Sequence, residues 1–278
     1  MGFNAYELAE KNKNKYEVEM IDQMRSKPII EKNYFIQNLT TDLSSRQLSI
    51  VYIYCSMIDF NAKGHAPITI DLSTVLKVLG LTTGGANRKA LKKELGQIRQ
   101  KTIWVNTITD EGKKAESAVG IVDRIDITAS DCTITFSDYF FQQLGYDGGH
   151  YAQMMLETII ALESKQIVNL YRLLKTWAYQ ETFEITVDKL RVITECQNKY
   201  PQTREFTRLV VKAGTEMINQ FGDIAVTYRV NRLNRKTHSY TFFIQKKASF
   251  EYFISSLAAK SKIDGRLLDS SKILTNTI

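Results

Sequence analysis

One ten-residue pattern occurs twice in this chain. Leu43-Ser44-Ser45-Arg46-Gln47-Leu48-Ser49-Ile50-Val51-Tyr52 lines up with Leu162-Glu163-Ser164-Lys165-Gln166-Ile167-Val168-Asn169-Leu170-Tyr171 as Leu-x-Ser-basic-Gln-apolar-x-x-apolar-Tyr, at an offset of 119. Downstream, Ile68-Thr69-Ile70-Asp71 matches Ile185-Thr186-Val187-Asp188 at an offset of 117. Two matches in the same order at nearly one offset mark an internal duplication. With 278 residues, each copy is long enough to bury a core of its own.

The residues downstream of the motif in the second copy define the unit. A helix is predicted from Thr203, taken as its N-cap after Pro201, to Phe221, with Gly222 as the stop. Phe206, Leu209, Val210, Ala213, Met217 and Phe221 recur at steps of three and four and predict the packing face. Arg204, Arg208, Lys212, Thr215 and Asn219 fall opposite, flanked by Thr207 and Val211. Two strands come next, 224–230 and 239–244, joined by the basic loop 231–238. A cation-faced helix leading into a basic-tipped hairpin is the layout of a winged helix, in which the helix enters the major groove and the wing lies along phosphates. The competing reading is a surface helix with an ordinary hairpin whose charges are solvated.

The first copy has the same order. A largely apolar helix is predicted over 46–60, a strand at 67–70, a helix to Leu79, and a basic helix over 87–101 with Arg88, Lys89, Lys92, Lys93, Arg99 and Lys101 against Glu94 alone. Strands are expected over 103–109, 119–128 and 132–136. The fold class is therefore α+β, two tandem winged-helix domains related by duplication. The expected division is an N-terminal arm (1–32), a first domain (33–147), a second domain (148–247) bounded near Gly145, Gly148 and Gly149, and a tail (248–278) with one helix over 250–259 and disordered final residues.

Charge placement indicates the partner. Residues 164–247 hold 15 Lys/Arg against 7 Asp/Glu, whereas the remainder holds 22 against 23. A polyanion is expected, with most of its footprint on the second half. The cations sit on a helix with a core-facing side, which favours nucleic acid over an anionic membrane. No apolar run reaches membrane-spanning length, residues 1–7 lack a signal-peptide core, and three dispersed cysteines indicate reduced thiols in a cytoplasmic compartment.

At these residues the chain resembles initiator proteins of theta-replicating, iteron-containing plasmids. Residues 162–175 are similar to that family's "L-x-S-K … LY-x-LLK" helix, and residues 183–191 to its "F-x-[IV]-x-[VL]-[DE]-x-LR" segment. Phe206-Thr207-Arg208-Leu209-Val210 resembles its "F-x-R-x-V" recognition helix. The first half is similar more loosely, departing at Arg46, and the likeness spans about residues 25 to 247. The resemblance implies binding of double-stranded DNA at direct repeats of a plasmid origin, with repression of the chain's own promoter. It also implies a dimer in equilibrium with monomer, and host replication proteins as further partners. A tandem winged-helix repressor without a replication role is the alternative.

Other chemistries find no support. His65, His150 and His238 lack the paired spacing of a rolling-circle metal site, Gly80–Gly85 lacks a P-loop lysine, and no Cys/His group has zinc spacing. Asp123, Asp126 and Asp131 read as solvated strand ends rather than a nuclease centre, and Trp177 as core. No enzyme activity, cofactor or metal is expected. The expected groove contacts are Thr203, Arg204, Thr207, Arg208 and Lys212, and the wing contacts are Arg229, Arg232, Arg235 and Lys236. Arg88, Lys89, Lys92 and Lys93 are expected to give the first domain a secondary DNA contact. The apolar helix at 46–60 serves either self-association or packing between the domains.

Overall fold

The computed structural model describes residues 5–60, 66–108, 111–146 and 150–275. In chain order, α1 (Ala5–Arg25), β1 (Pro28–Lys32), α2 (Asn33–Asn38) and β2 (Leu39–Thr41) precede the first repeat helix, α3 (Ser45–Cys55). Then come β3 (Ile68–Asp71), α4 (Leu72–Val78), α5 (Gly85–Ile98), β4 (Thr102–Ile108), β5 (Lys114–Gly120), β6 (Val122–Ile127), β7 (Asp131–Phe136) and α6 (Asp138–Gln142). The second half runs β8 (Tyr151–Met155), α7 (Leu156–Leu162), α8 (Lys165–Trp177), β9 (Thr182–Thr186), α9 (Val187–Ile193), α10 (residues 203–221), β10 (Ile224–Leu233), β11 (Lys236–Lys246) and α11 (Ser249–Thr275).

The duplicated motif lies on α3 and α8. A capping box starts α3: the Ser44 hydroxyl accepts from Gln47 N, and the Gln47 side chain accepts from Ser44 N. Every residue from Gln47 to Cys55 is buried, as its all-round apolar pattern requires, and the helix stops at Cys55 rather than Phe60. The two units then share one sheet order, β3-β7-β6 in the first and β9-β11-β10 in the second. Between α5 and its wing the first unit inserts the β4–β5 hairpin, which pairs with β2. The strand expected over 119–128 is accordingly two strands in different sheets, broken at the buried Ile121.

The duplication extends upstream of the sequence motif. β1 pairs antiparallel with β8, Pro28 opposite Met155 and Lys32 opposite Tyr151. Helix α2 packs on α8 and α7 packs on α3, so the leading helix of each unit lies against the repeat helix of the other. Residues 28–32, expected in a partly helical or loose arm, are thus one strand of a ribbon that joins the two units. Gly148 and Gly149, near which the sequence puts the boundary, lie outside the described residues.

Both flanking segments are single helices: α1 packs on α4, and α11 packs on α7 and the end of α10 and reaches the first unit at the turn after α4. The expected tail helix at 250–259 continues as α11 to Thr275. Arg25, only 2% exposed, donates from Nε to Val78 O (3.0 Å) and from Nη2 to Lys77 O (2.6 Å), neutralising the carbonyl end of α4, and meets Asp264 of α11 at 2.7 Å. Arg266 donates to Leu79 O and Ile160 O. Gly80 adopts φ +72°, and a Cβ there would sit 2.2 Å from the Ile263 carbonyl oxygen, so α11 lies directly on the turn that ends α4. Among the described residues, no helix is long and apolar enough to cross a membrane.

Candidate nucleic-acid interface

Helix α10 is not a uniform α-helix. It comprises Thr203–Phe206, a π-helical stretch Thr207–Lys212, and Ala213–Phe221. Its N-cap is Gln202, whose carbonyl accepts from Glu205 N and Phe206 N; Thr203, expected as the cap, is the first helical residue. A π turn holds one residue more than an α turn and advances the helix face by about 100°. The buried set is therefore Phe206, Val210, Val211, Gly214, Thr215, Ile218 and Phe221. Val211 and Thr215, expected to flank or share the polar face, are inside. Leu209, expected inside, is 37% exposed.

Two threonines support the π stretch. The Thr207 hydroxyl donates to Thr203 O (2.8 Å), and that of Thr215 lies 2.9 Å from Val211 O and 2.8 Å from Lys212 O. These bonds add side-chain donors to carbonyls at the two ends of the stretch. Thr207 also lies 2.6 Å from the Tyr240 hydroxyl on β11, tying the helix to its wing. Its side chain is engaged in the fold rather than turned freely outward. Burial raises the Tyr240 pKa, so the phenol stays neutral in this contact.

Arg204, Arg208 and Lys212 are exposed along one line at steps of four. Lys212 has only the exposed Glu216 nearby (3.9 Å), and Arg204 and Arg208 have no ionic or hydrogen-bond partner among the described residues. Arg191, which closes the 183–191 segment but is not among the expected contacts, positions this helix. Its guanidinium donates to the carbonyls of Cys196, Lys199 and Tyr200 and sits 4.6 Å from the Phe206 ring centre. It shapes the turn between α9 and α10; its sequence signal is the closing arginine of the 183–191 segment.

The wing is a longer hairpin than expected. Pairing continues through Leu233 and Lys236, so the eight-residue loop contracts to Asn234-Arg235, both at positive φ (51° and 66°). Such a two-residue turn matches the twist of the strands and usually carries glycine second. Arg232, Arg235 and Lys236 are exposed at this end, beside a bulge at Asn231/Arg232. Arg229 lies further back, bonded to Asn231 Oδ1 (3.3 Å) and over Phe243. Nearby, the Glu184 carboxylate accepts from Ser239 and Asn231, and these hydrogen bonds, the one from Ser239 foremost, hold its pKa below the usual range.

The first unit's cations divide into two pairs. Arg88 donates to Thr83 O (3.3 Å) and Lys92 to Thr128 O (3.0 Å), which turns both toward their own fold. Lys89 and Lys93, one helical turn apart, are exposed. Together the two units place their exposed cations on corresponding helices, α5 and α10.

Known proteins are similar to this chain in sequence family and in fold. Residues 28–175 match a family model described as "Initiator Replication protein, WH1", and residues 186–244 match "Initiator Rep protein, WH2". The fold is similar to that of the Pi initiator protein, solved in complex with iteron DNA, with TM-score 0.65 and 18% identity over 81% of this chain and 99% of that one. A weaker similarity, TM-score 0.45 and 10% identity, reaches domains 2 and 3 of RctB over 72% of this chain and 80% of that one. A search of curated protein sequences finds no match.

Proposed function

The chain belongs to the initiator replication protein family, and on that premise we propose that it starts plasmid replication by binding direct repeats in origin DNA. The observation that carries this reading is the exposed line Arg204–Arg208–Lys212 on a helix braced by Arg191 and Thr207, beside a hairpin tipped with Arg232, Arg235 and Lys236. Guanidinium groups without partners in the fold are free for guanine O6 and N7, and a basic wing tip suits phosphates. The Pi initiator, similar in fold, is described with iteron DNA, which supports repeats as the target.

In this reading the second unit is the main reader, and the first adds a phosphate contact through Lys89 and Lys93. The protein works in the cytoplasm by binding rather than catalysis. It exchanges between monomer and dimer, represses its own promoter, and hands the opened origin to host replication proteins. Footprinting the full-length protein on DNA flanking its own gene tests the reading. Protection of several direct repeats, spaced about two helical turns apart in keeping with the ~10 bp turn, is expected. Protection of an isolated inverted repeat alone would make the protein a repressor instead.

A further inference from the structure

Leu209 is out of place by the ordinary rules of helix patterning. Its spacing from Phe206, Val210 and Ala213 belongs to the packing face, yet it stands beside the line of free cations. The cause is the π stretch Thr207–Lys212, which turns Val211 and Thr215 inward and Leu209 outward. A uniform α-helix would have left Leu209 on the Phe206 side without the buried hydroxyl of Thr215. The altered ladder is held by Thr207 and Thr215, so the rotation is built into the fold. Single exposed leucines are common on protein surfaces. This one is distinguished by its position, adjoining Arg208 and about one helical turn from Lys212 on the exposed strip.

We infer that Leu209 reads the 5-methyl group of a thymine in the major groove, an inference that rests on the proposed DNA-binding function. The thymine methyl is the one apolar feature on a major-groove base edge, and aliphatic side chains recognise it by contact. Arg204 and Arg208 take guanine edges or phosphates, and Leu209 beside Arg208 selects against cytosine at one position. The π turn is thereby a specificity device as well as a packing one.

The test uses the duplex that the full-length protein selects from a random pool. Each thymine is replaced in turn by deoxyuridine, which removes only the methyl group and keeps the pairing. At one thymine, or two adjacent ones, wild-type affinity should fall about fourfold, the factor for losing burial of one methyl-sized group. Leu209→Ala should bind the thymine and uracil duplexes equally and keep its thermal stability, since the side chain is exposed. Leu209→Gln, of similar length but polar, should also lose the distinction. If Leu209→Ala keeps the wild-type thymine preference, or if no thymine is methyl-sensitive, the inference is overturned while DNA reading stands. If the pool yields no enriched sequence, the DNA-reading function falls and this inference with it.

Discussion

The guanidinium of Arg172 and the carboxylate of Glu31 form a buried pair that joins the two halves of the molecule. Arg172 Nε lies 3.0 Å from Glu31 Oε2 and Nη2 lies 3.2 Å from Oε1, while the Tyr52 hydroxyl donates to the same carboxylate at 3.1 Å. Arg172 is on α8, Glu31 on the β1–β8 ribbon and Tyr52 on α3, so the cluster sits where the duplicated units exchange helices. Desolvation of two charges offsets most of their attraction, and the pair adds little net stability over apolar residues. Its orientation, by contrast, admits one register of ribbon against helices. Glu31→Gln or Arg172→Met alone should therefore destabilise the fold by about 3–5 kcal/mol in urea denaturation, because each strands a buried partner. The triple variant Glu31→Leu/Arg172→Met/Tyr52→Phe, which leaves no charge or hydroxyl of the cluster unpaired, should recover most of that loss.

On α10, Arg208→Ala should leave the melting temperature unchanged and reduce discrimination between the selected and scrambled duplexes by about 1–3 kcal/mol, the value of one bidentate guanine contact. Competition binding at fixed salt is the measurement. Undiminished discrimination would remove Arg208 from the groove.

The wing tip carries an opposing pair of effects. Arg235 adopts the left-handed conformation that glycine accepts without strain. Arg235→Gly should raise hairpin stability by up to about 1 kcal/mol. The same change should reduce the slope of log affinity against log salt by about one, as expected for one lost phosphate contact. Thermal melts and a salt titration read the two effects independently.

For the first unit, Lys89→Glu with Lys93→Glu should weaken full-length binding and lower the salt slope by about two. Lys92→Ala, whose ammonium already serves Thr128 O, should change the slope far less. Equal effects from both variants would show that the pairing seen at Lys92 does not govern its role.

A pH signature comes from Glu157 on α7, a buried carboxylate beside α11. The Tyr252 hydroxyl donates to it at 3.1 Å and Lys260 lies at 3.8 Å, while burial pushes its pKa above the ordinary 4.5. A carboxyl with a raised folded-state pKa favours its protonated form in the fold. Its contribution is most favourable below 4.5 and is lost as pH rises through the folded pKa. Relative to Glu157→Gln, the wild type should lose stability across that rise, which denaturation at a series of pH values would reveal.

The duplicated unit is legible in the sequence because both repeat helices keep the same apolar positions in the core, and both copies keep a tyrosine that closes a polar cluster. Tyr52 meets Glu31 and Tyr171 meets Asp223. The cations of α10 are legible too, since steps of four keep one face through either kind of turn. Leu209, Val211 and Thr215 are not, because a period of 3.6 residues per turn does not hold across a π stretch. The flanking helices are legible only in part. Helix α11 is expected over 250–259, where Ser255 and Ala259 begin a buried stripe that continues to Ile263, but the point fastenings of Arg25 with Asp264 and of Ile263 over Gly80 carry no sequence signal. The two-residue wing turn is hidden because arginine stands where glycine would have announced it.

The contact of Ile263 with Gly80 also dictates an order of events during synthesis. The turn at Gly80 is made early, and the segment that covers it emerges about 180 residues later, a delay of about 10–40 s at usual elongation rates. For the first part of that interval the ribbon strand β1 also waits for β8, so the nascent first unit keeps an unpaired strand and an uncovered helix end. Ribosome-bound chains halted before β8 emerges should expose both surfaces to chaperones and proteases, the release of β8 should cover the strand, and the release of α11 should cover the helix end.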